Sequence, residues 1–213
     1  FDSISPDGKF WKENVPLGIK LGQLQGTLNE CQIERPEGAA GFSSLTSYDP
    51  PIRDFFPLKE GVYKGLSIYF GWVGGLASRH AEHFEMRCNG EETFDLFFNK
   101  TSKTLFAYAK TITLSAPSSL NAIEQVEGEM AKYCNGAVQQ HKAVARDRRS
   151  GPVDVHVRYC QYADMVIVAA SDAVSAVQNN LVQVNLSYVS GRGWKEYIAS
   201  VEKTEKLRMP AAQ

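Results

Sequence analysis

The chain has no surplus of charge of either sign, no long apolar run and no closely spaced cysteine pair. Each absence removes a class of protein. Its 213 residues carry 23 Lys and Arg against 24 Asp and Glu, a formal net charge of -1. A nucleic-acid binder needs a basic surplus to offset phosphate charge, so that class is set aside. No apolar stretch approaches the roughly 18 residues of a membrane-spanning helix. The four cysteines, Cys31, Cys88, Cys134 and Cys160, form no Cys-x-x-Cys. No Cys/His group has zinc-site spacing either, so neither a metal nor a cofactor is expected. The Gly-x-Ser-x-Gly elbow is missing. The glycine-rich "FGWVGG" lacks both the Walker lysine and the Rossmann spacing, and reads as a bent strand. No catalytic residue is expected.

What is present is an ordinary globular mixture, 43% hydrophobic and 22% charged, able to bury a core. The length fits a single unit over residues 1–213, or two lobes over 15–115 and 116–208, with 1–14 and 208–213 as a surface arm and a tail. An even number of widely spaced cysteines suits two structural disulfides in an oxidising compartment. The competing reading is four reduced, buried cysteines in a cytosolic protein. Four cysteines allow three pairings, and spacing alone does not choose among them. Cys31–Cys88 with Cys134–Cys160 is favoured because each bond then staples one half of the chain. In the chain-entropy model each would add about 3–4 kcal/mol. The chain opens on Phe1 rather than methionine: either a leader was removed or the sequence was trimmed, and a cleaved signal peptide would agree with the expected periplasmic or secreted location.

Along the chain, Leu21, Leu24 and Leu28 recur at helical spacing, predicting a short helix that ends near Cys31. Residues 34–62 hold Pro36, Pro50, Pro51 and Pro57, which forbid a long helix or a central strand. "GLSIYFGWV", "HFEMRC", "TFDLFFN" and "KTLFAYAKTITLS" then read as an antiparallel meander. "SSLNAIEQVEGEMAKYCNG" is a helix with Ser119 as N-cap, stopped at Asn135-Gly136. Its apolar stripe is Leu120, Ile123, Val126 (or Glu127) and Met130, with Glu124, Glu127 and Glu129 populating the exposed side. "AVQQHKAVARDRR" is read as a basic helix. "VDVHVRYC" alternates, with Val153, Val155, Val157 and Tyr159 on one face and Asp154, His156, Arg158 and Cys160 on the other. "DMVIVAAS" and "LVQVNLSYVS" are further strands, and "GWKEYIASVEKTEKL" is a last helix with Trp194, Tyr197, Ile198 and Val201 inward. The expected class is α+β, an antiparallel sheet with a few helices on one face and the other face open.

"PLGIKLGQLQGTLNEC", the meander, "SSLNAIEQVEGEMAKYCNG" and "VDVHVRYC" together resemble secreted proteobacterial α+β proteins of the small outer-membrane lipoprotein A and β-lactamase-inhibitor-protein-like class. The resemblance implies a periplasmic binding or assembly module and carries no catalytic residues. It departs from the pattern at Cys134 and Asn135, which stand between Lys132-Tyr133 and the glycine.

Three groups of residues bear on function. His80 and His83, three apart, could share a metal on a helical turn, whereas on a strand they would point to opposite faces. Lys142, Arg146, Arg148 and Arg149 form a basic cluster, suited to an acidic partner or to a solvated helix end. Phe42, Tyr48, Phe55 and Phe56 stand among Gly, Ser, Pro and Asp in the proline-rich loop, with Arg53 and Asp54 as a polar rim. Aromatics on rigid loops serve as interface anchors, or else they plug a sheet edge or cover the open sheet face. The sequons at Asn99 and Asn185 are read as chance. The expected function is a non-catalytic module that binds another protein, most concretely an inhibitor or immunity protein facing a toxin or hydrolase. The alternatives are an envelope-assembly factor and a small hydrolase with an unrecognised site.

Overall fold

A computed structural model describes residues 17–27, 31–35, 68–69, 72–73, 81–88, 92–147, 151–172, 176–178 and 180–193, with Lys195, Glu196, Ala199 and Lys203. Among the described residues, the helices α1 (Leu21–Thr27) and α2 (Ser119–Met130) and helical residues from Gly191 onward accompany a large antiparallel sheet. Its strands are β1 (Cys31–Glu34), β4 (Ala81–Cys88), β5 (Glu92–Asn99), β6 (Leu105–Ser115), β7 (Gln139–Asp147), β8 (Gly151–Tyr162), β9 (Met165–Asp172), β10 (Ala176–Gln178) and β11 (Leu181–Ser190). The spatial order is β1-β4-β5-β6-β11-β9-β8-β7, and β10 pairs with the start of β11. A separate two-stranded ribbon joins β2 (Ile68–Tyr69) to β3 (Trp72–Val73), so "GLSIYFGWV" is a small hairpin rather than one strand. Among the described residues no helix is long and apolar enough to cross a membrane.

Alternation sets the two faces of the sheet. Met86, Phe94, Leu96, Tyr108, Val184, Leu186, Tyr188, Ile167 and Cys160 share one face and are buried, with α2 seated on its β8, β9 and β11 part. Leu24 of α1 joins the same core. The α2 stripe is Ser119, Ala122, Ile123, Val126 and Met130. Leu120 departs from the expected stripe and stays exposed. The cap falls one residue earlier than expected: Ser118 is extended and its side chain accepts the Asn121 N–H at 3.2 Å. Tyr108 and Tyr188 lie opposite each other in register and stack at 5.0 Å between ring centroids. Burial pushes both hydroxyls well above the ordinary tyrosine value.

The expectation of an open second face is overturned. Phe97, Ala107, Val189 and Val166 form one cross-strand row on that face, with Val168, Val155 and Val157 in adjoining rows, and all are buried. The signal lay in "MVIVAA" and "LFAYA", which are continuously apolar rather than alternating, the pattern of strands covered on both sides. Part of the cover is visible. The β5–β6 ladder steps from Phe97↔Ala107 to Phe98↔Leu105, so Phe106 is an extra residue in β6. The C-terminal helical residues meet the sheet there. Ser190 Oγ accepts the Gly193 N–H at 3.1 Å, and a Cβ on Gly193 would come within 2.6 Å of the Phe106 Cβ.

The segment read as a basic helix is strand β7. It pairs with β8 in unbroken register from Gln139↔Tyr159 to Asp147↔Gly151. Gln, Ala and Arg favour a helix only by tenths of a kcal/mol, about 0.2 to 0.5 each against β-branched residues, and a long apolar β8 needing a neighbour outweighs that.

Candidate functional site

The two ends of the sheet differ in kind. At one end β1 is four residues long. Cys31 lies opposite Cys88 of β4 with Cα atoms 4.2 Å apart and is bonded to it, so this edge is covalently held. Arg35, just after β1, places its guanidinium over the Phe84 ring at 5.3 Å and pairs with Glu82 at 3.4 Å. The second disulfide joins Cys134, beyond α2, to Cys160 on β8, and the Asn135 N–H donates to the Gln161 carbonyl at 2.8 Å. The pairing is the one favoured from the sequence, and two such bonds fit an oxidising compartment.

At the other end β7 is nine residues long and is the last strand. Among the described residues nothing pairs with its outer side. Gln139, Gln140, His141 and Lys142 are all exposed, and because neighbours alternate, this first part of the strand is open on both faces. Lys142 Nζ lies 2.9 Å from Asp154 on β8. The basic residues singled out in the sequence divide here. Lys142 and Arg146 fall on β7, whereas Arg148 and Arg149 lie outside the described residues.

Between β7 and α2 sits a polar cluster that sequence reading missed. Arg158 Nε donates to Glu127 Oε2 at 2.5 Å, and Gln140 Nε2 donates to Glu127 Oε1 at 3.1 Å. Burial raises the Glu127 carboxyl, but the hydrogen bonds from Arg158 and Gln140 and the guanidinium charge outweigh it, and the carboxyl is held below its ordinary value. The sequence pattern places Glu127 chiefly on the exposed side of the helix. Its partner is 31 residues away in sequence and no local pattern reveals it.

On the face opposite α2, His83 Nε2 and Asp95 Oδ1 are 2.7 Å apart, and the imidazole stacks on Phe97 with centroids 5.0 Å apart. Nearby, Arg87 Nε donates to Glu85 at 2.7 Å, which raises the guanidinium pKa further. A histidine oriented by a carboxylate is two-thirds of a nucleophilic triad. The buried hydroxyl in the same row, on Ser187, stands two strands from Asp95, about 10 Å of sheet, and donates to Asn185 Oδ1 at 2.9 Å. His83 is on a strand, and His80 lies outside the described residues. Among the described residues no group of three or more His, Cys, Asp or Glu could hold a metal ion. His156 shares its sheet face with Arg158 and is half-buried.

Phe42, Tyr48, Arg53, Asp54, Phe55 and Phe56, the expected partner-binding set, lie outside the described residues, as do Trp194, Tyr197, Ile198 and Val201. Both sequon asparagines are buried in structural roles. Asn99 accepts the N–H groups of Thr101 and Ser102 at 2.8 and 3.1 Å in the β5–β6 turn, and Asn185 accepts from Ser187. What the geometry defines is a disulfide-stapled antiparallel sheet with one short, bonded edge and one long, exposed one. The chain matches no family model, no curated protein and no solved structure.

Proposed function

We propose that this is a secreted or periplasmic protein-binding module without catalytic activity, whose form is an inhibitor or immunity protein docking on a toxin or hydrolase. The observation that carries the reading is the asymmetry of the sheet: two disulfides brace it, and one full-length edge strand remains exposed on both faces at Gln139–Lys142. Exposed strand edges are sites of chain-to-chain pairing. The aromatic loop, with Phe42, Tyr48, Arg53, Asp54, Phe55 and Phe56, is assigned as a second contact surface on the chemistry of its residues. The likeness to outer-membrane lipoprotein A and β-lactamase-inhibitor-like proteins points the same way and is part of the proposal.

The test joins stability and affinity on one preparation. A partner is recovered from the native host, identified, and titrated against the wild type and the Phe55→Ala/Phe56→Ala double variant. Interface anchors each cost upward of about 2 kcal/mol of binding when truncated and leave the melting temperature in place. Core phenylalanines instead cost about 3–5 kcal/mol of folding stability each. A collapse of the melting temperature removes the loop from the interface.

A second reading, a small hydrolase, is favoured by one observation, the 2.7 Å contact of His83 with Asp95. Ester, amide and glycoside substrates turned over by the wild type but not by His83→Ala would establish it over the first.

A further inference from the structure

We propose that β7 receives an extended, acidic segment of the partner protein as a tenth strand added to the nine-stranded sheet. The proposal rests on the protein-binding reading above and names the surface and the chemistry of what binds there.

Three observations lead to it. The first is geometric. In an antiparallel ladder every second residue turns its N–H and C=O away from its neighbour, so a nine-residue terminal strand offers a full row of outward donors and acceptors. The β7–β8 register has no shift along its whole length, and an unbroken register is what an incoming strand needs to follow. The opposite edge lacks this quality: β1 is short and tied to β4 by a disulfide.

The second is exposure. Gln139 and His141 lie on one face and Gln140 and Lys142 on the other, and all four are exposed. Beside these four residues an incoming strand would therefore find room for its side chains above and below the sheet. Its outer neighbours would be polar, which suits a partner segment that is itself soluble.

The third is charge. β7 carries two cations, Lys142 and Arg146, and one acid, Asp147, at its end; Lys142 Nζ lies 2.9 Å from Asp154 of β8 but keeps 60% of its side chain exposed, so a second carboxylate can still reach it. Cross-strand neighbours sit about 4.5–5.5 Å apart, and like charges at that distance disfavour pairing. Two β7 strands from two copies, paired in the register that sets Lys142 opposite Arg146, would bring these cations together, which disfavours that pairing with a second copy. Carboxylates on a foreign strand would instead fall beside Lys142 and Arg146. A polyanion such as nucleic acid or an anionic lipid surface would use the charge but not the row of backbone groups.

The experiment uses the full chain and a fluorescein-labelled eight-residue peptide alternating glutamate with valine, read by fluorescence anisotropy. Saturable binding is expected, weakened about tenfold or more when lysine replaces glutamate in the peptide. Two further peptides are N-methylated on alternate nitrogens, one on the odd and one on the even positions. Strand addition predicts that one of them loses binding and the other keeps it. The Lys142→Glu/Arg146→Glu variant should reverse the preference to the lysine peptide, with its fold checked by circular dichroism. If that variant fails to fold, the paired N-methyl peptides still decide the question on the native chain. Equal binding of both methylated peptides overturns the proposal and leaves only surface electrostatics. So does no binding up to about 1 mM, binding of heparin or phosphatidylserine vesicles alone, or a concentration-dependent dimer that the peptide does not dissociate. If the partner recovered from the host binds the charge-reversed variant unchanged, the edge assignment falls while the protein-binding reading stands.

Discussion

Arg158, on the central part of β8, and Glu127, on the rim of α2, meet at 2.5 Å across the helix–sheet interface. The arginine side chain is only 6% exposed and the glutamate 26%, so the two partners stand in different surroundings. Removing the glutamate leaves a buried cation unpaired. Removing the arginine leaves a carboxylate that water can still reach.

Glu127→Gln should therefore destabilise the fold more than Arg158→Met. For a fully buried pair the loss of one partner costs about 3–5 kcal/mol, and the partial exposure of Glu127 reduces that to about 2 kcal/mol. The double variant should recover part of the loss. A double-mutant cycle by urea unfolding measures the coupling, and additive effects would show that the pair does not hold α2 to the sheet.

The same contact predicts acid sensitivity. The Glu127 carboxyl is held below its ordinary value of 4.5, so it binds fewer protons folded than unfolded as the pH falls past that value. Its contribution is complete above pH 4.5 and is lost as the pH drops through the lower folded value. Unfolding curves between pH 6 and roughly pH 2 should show a stability slope that Glu127→Gln makes shallower. An unchanged slope would mean that other carboxylates account for it.

The disulfides should be complete and unequal in weight. Thiol titration in denaturant without reductant should find no free thiol. The Cys31–Cys88 bond spans 57 residues and Cys134–Cys160 spans 26. On loop-closure entropy their removal costs about 4.2 and 3.5 kcal/mol respectively. Alanine pairs at each site, compared by thermal unfolding, test the order. Four reactive thiols would refute both bonds and the oxidising-compartment argument with them.

Gly193→Ala tests how closely the C-terminal segment approaches the sheet. The added methyl would lie 2.6 Å from the Phe106 Cβ and 3.1 Å from its Cα, so truncating the phenylalanine ring offers no relief. A loss of about 1–3 kcal/mol is expected, the range for overpacking. It should be accompanied by faster amide exchange in residues 191–193. A neutral substitution would show that the segment rests on the sheet more loosely.

Sequence by itself determined the strands whose patterns are local. "HFEMRC", "TFDLFFN", "VDVHVRYC" and "LVQVNLSYVS" are β4, β5, β8 and β11 because side-chain alternation and β-branching act within each segment. The amphipathic stripe of α2 is of the same kind. The pairing of the cysteines followed from chain halves, and strand register delivers it: β1 lies directly against β4, and Cys160 sits under the chain leaving α2. Tertiary structure alone decided the rest. β7 is a strand because β8 supplies a ladder that its own residues do not demand. The face opposite α2 is buried because Phe97, Val166 and Val189, from three distant segments, line up in one row. Asp95 meets His83, and Glu127 meets Arg158, only because sheet register and helix docking bring them together. Such contacts depend on separations in space, which periodicity along the chain does not encode.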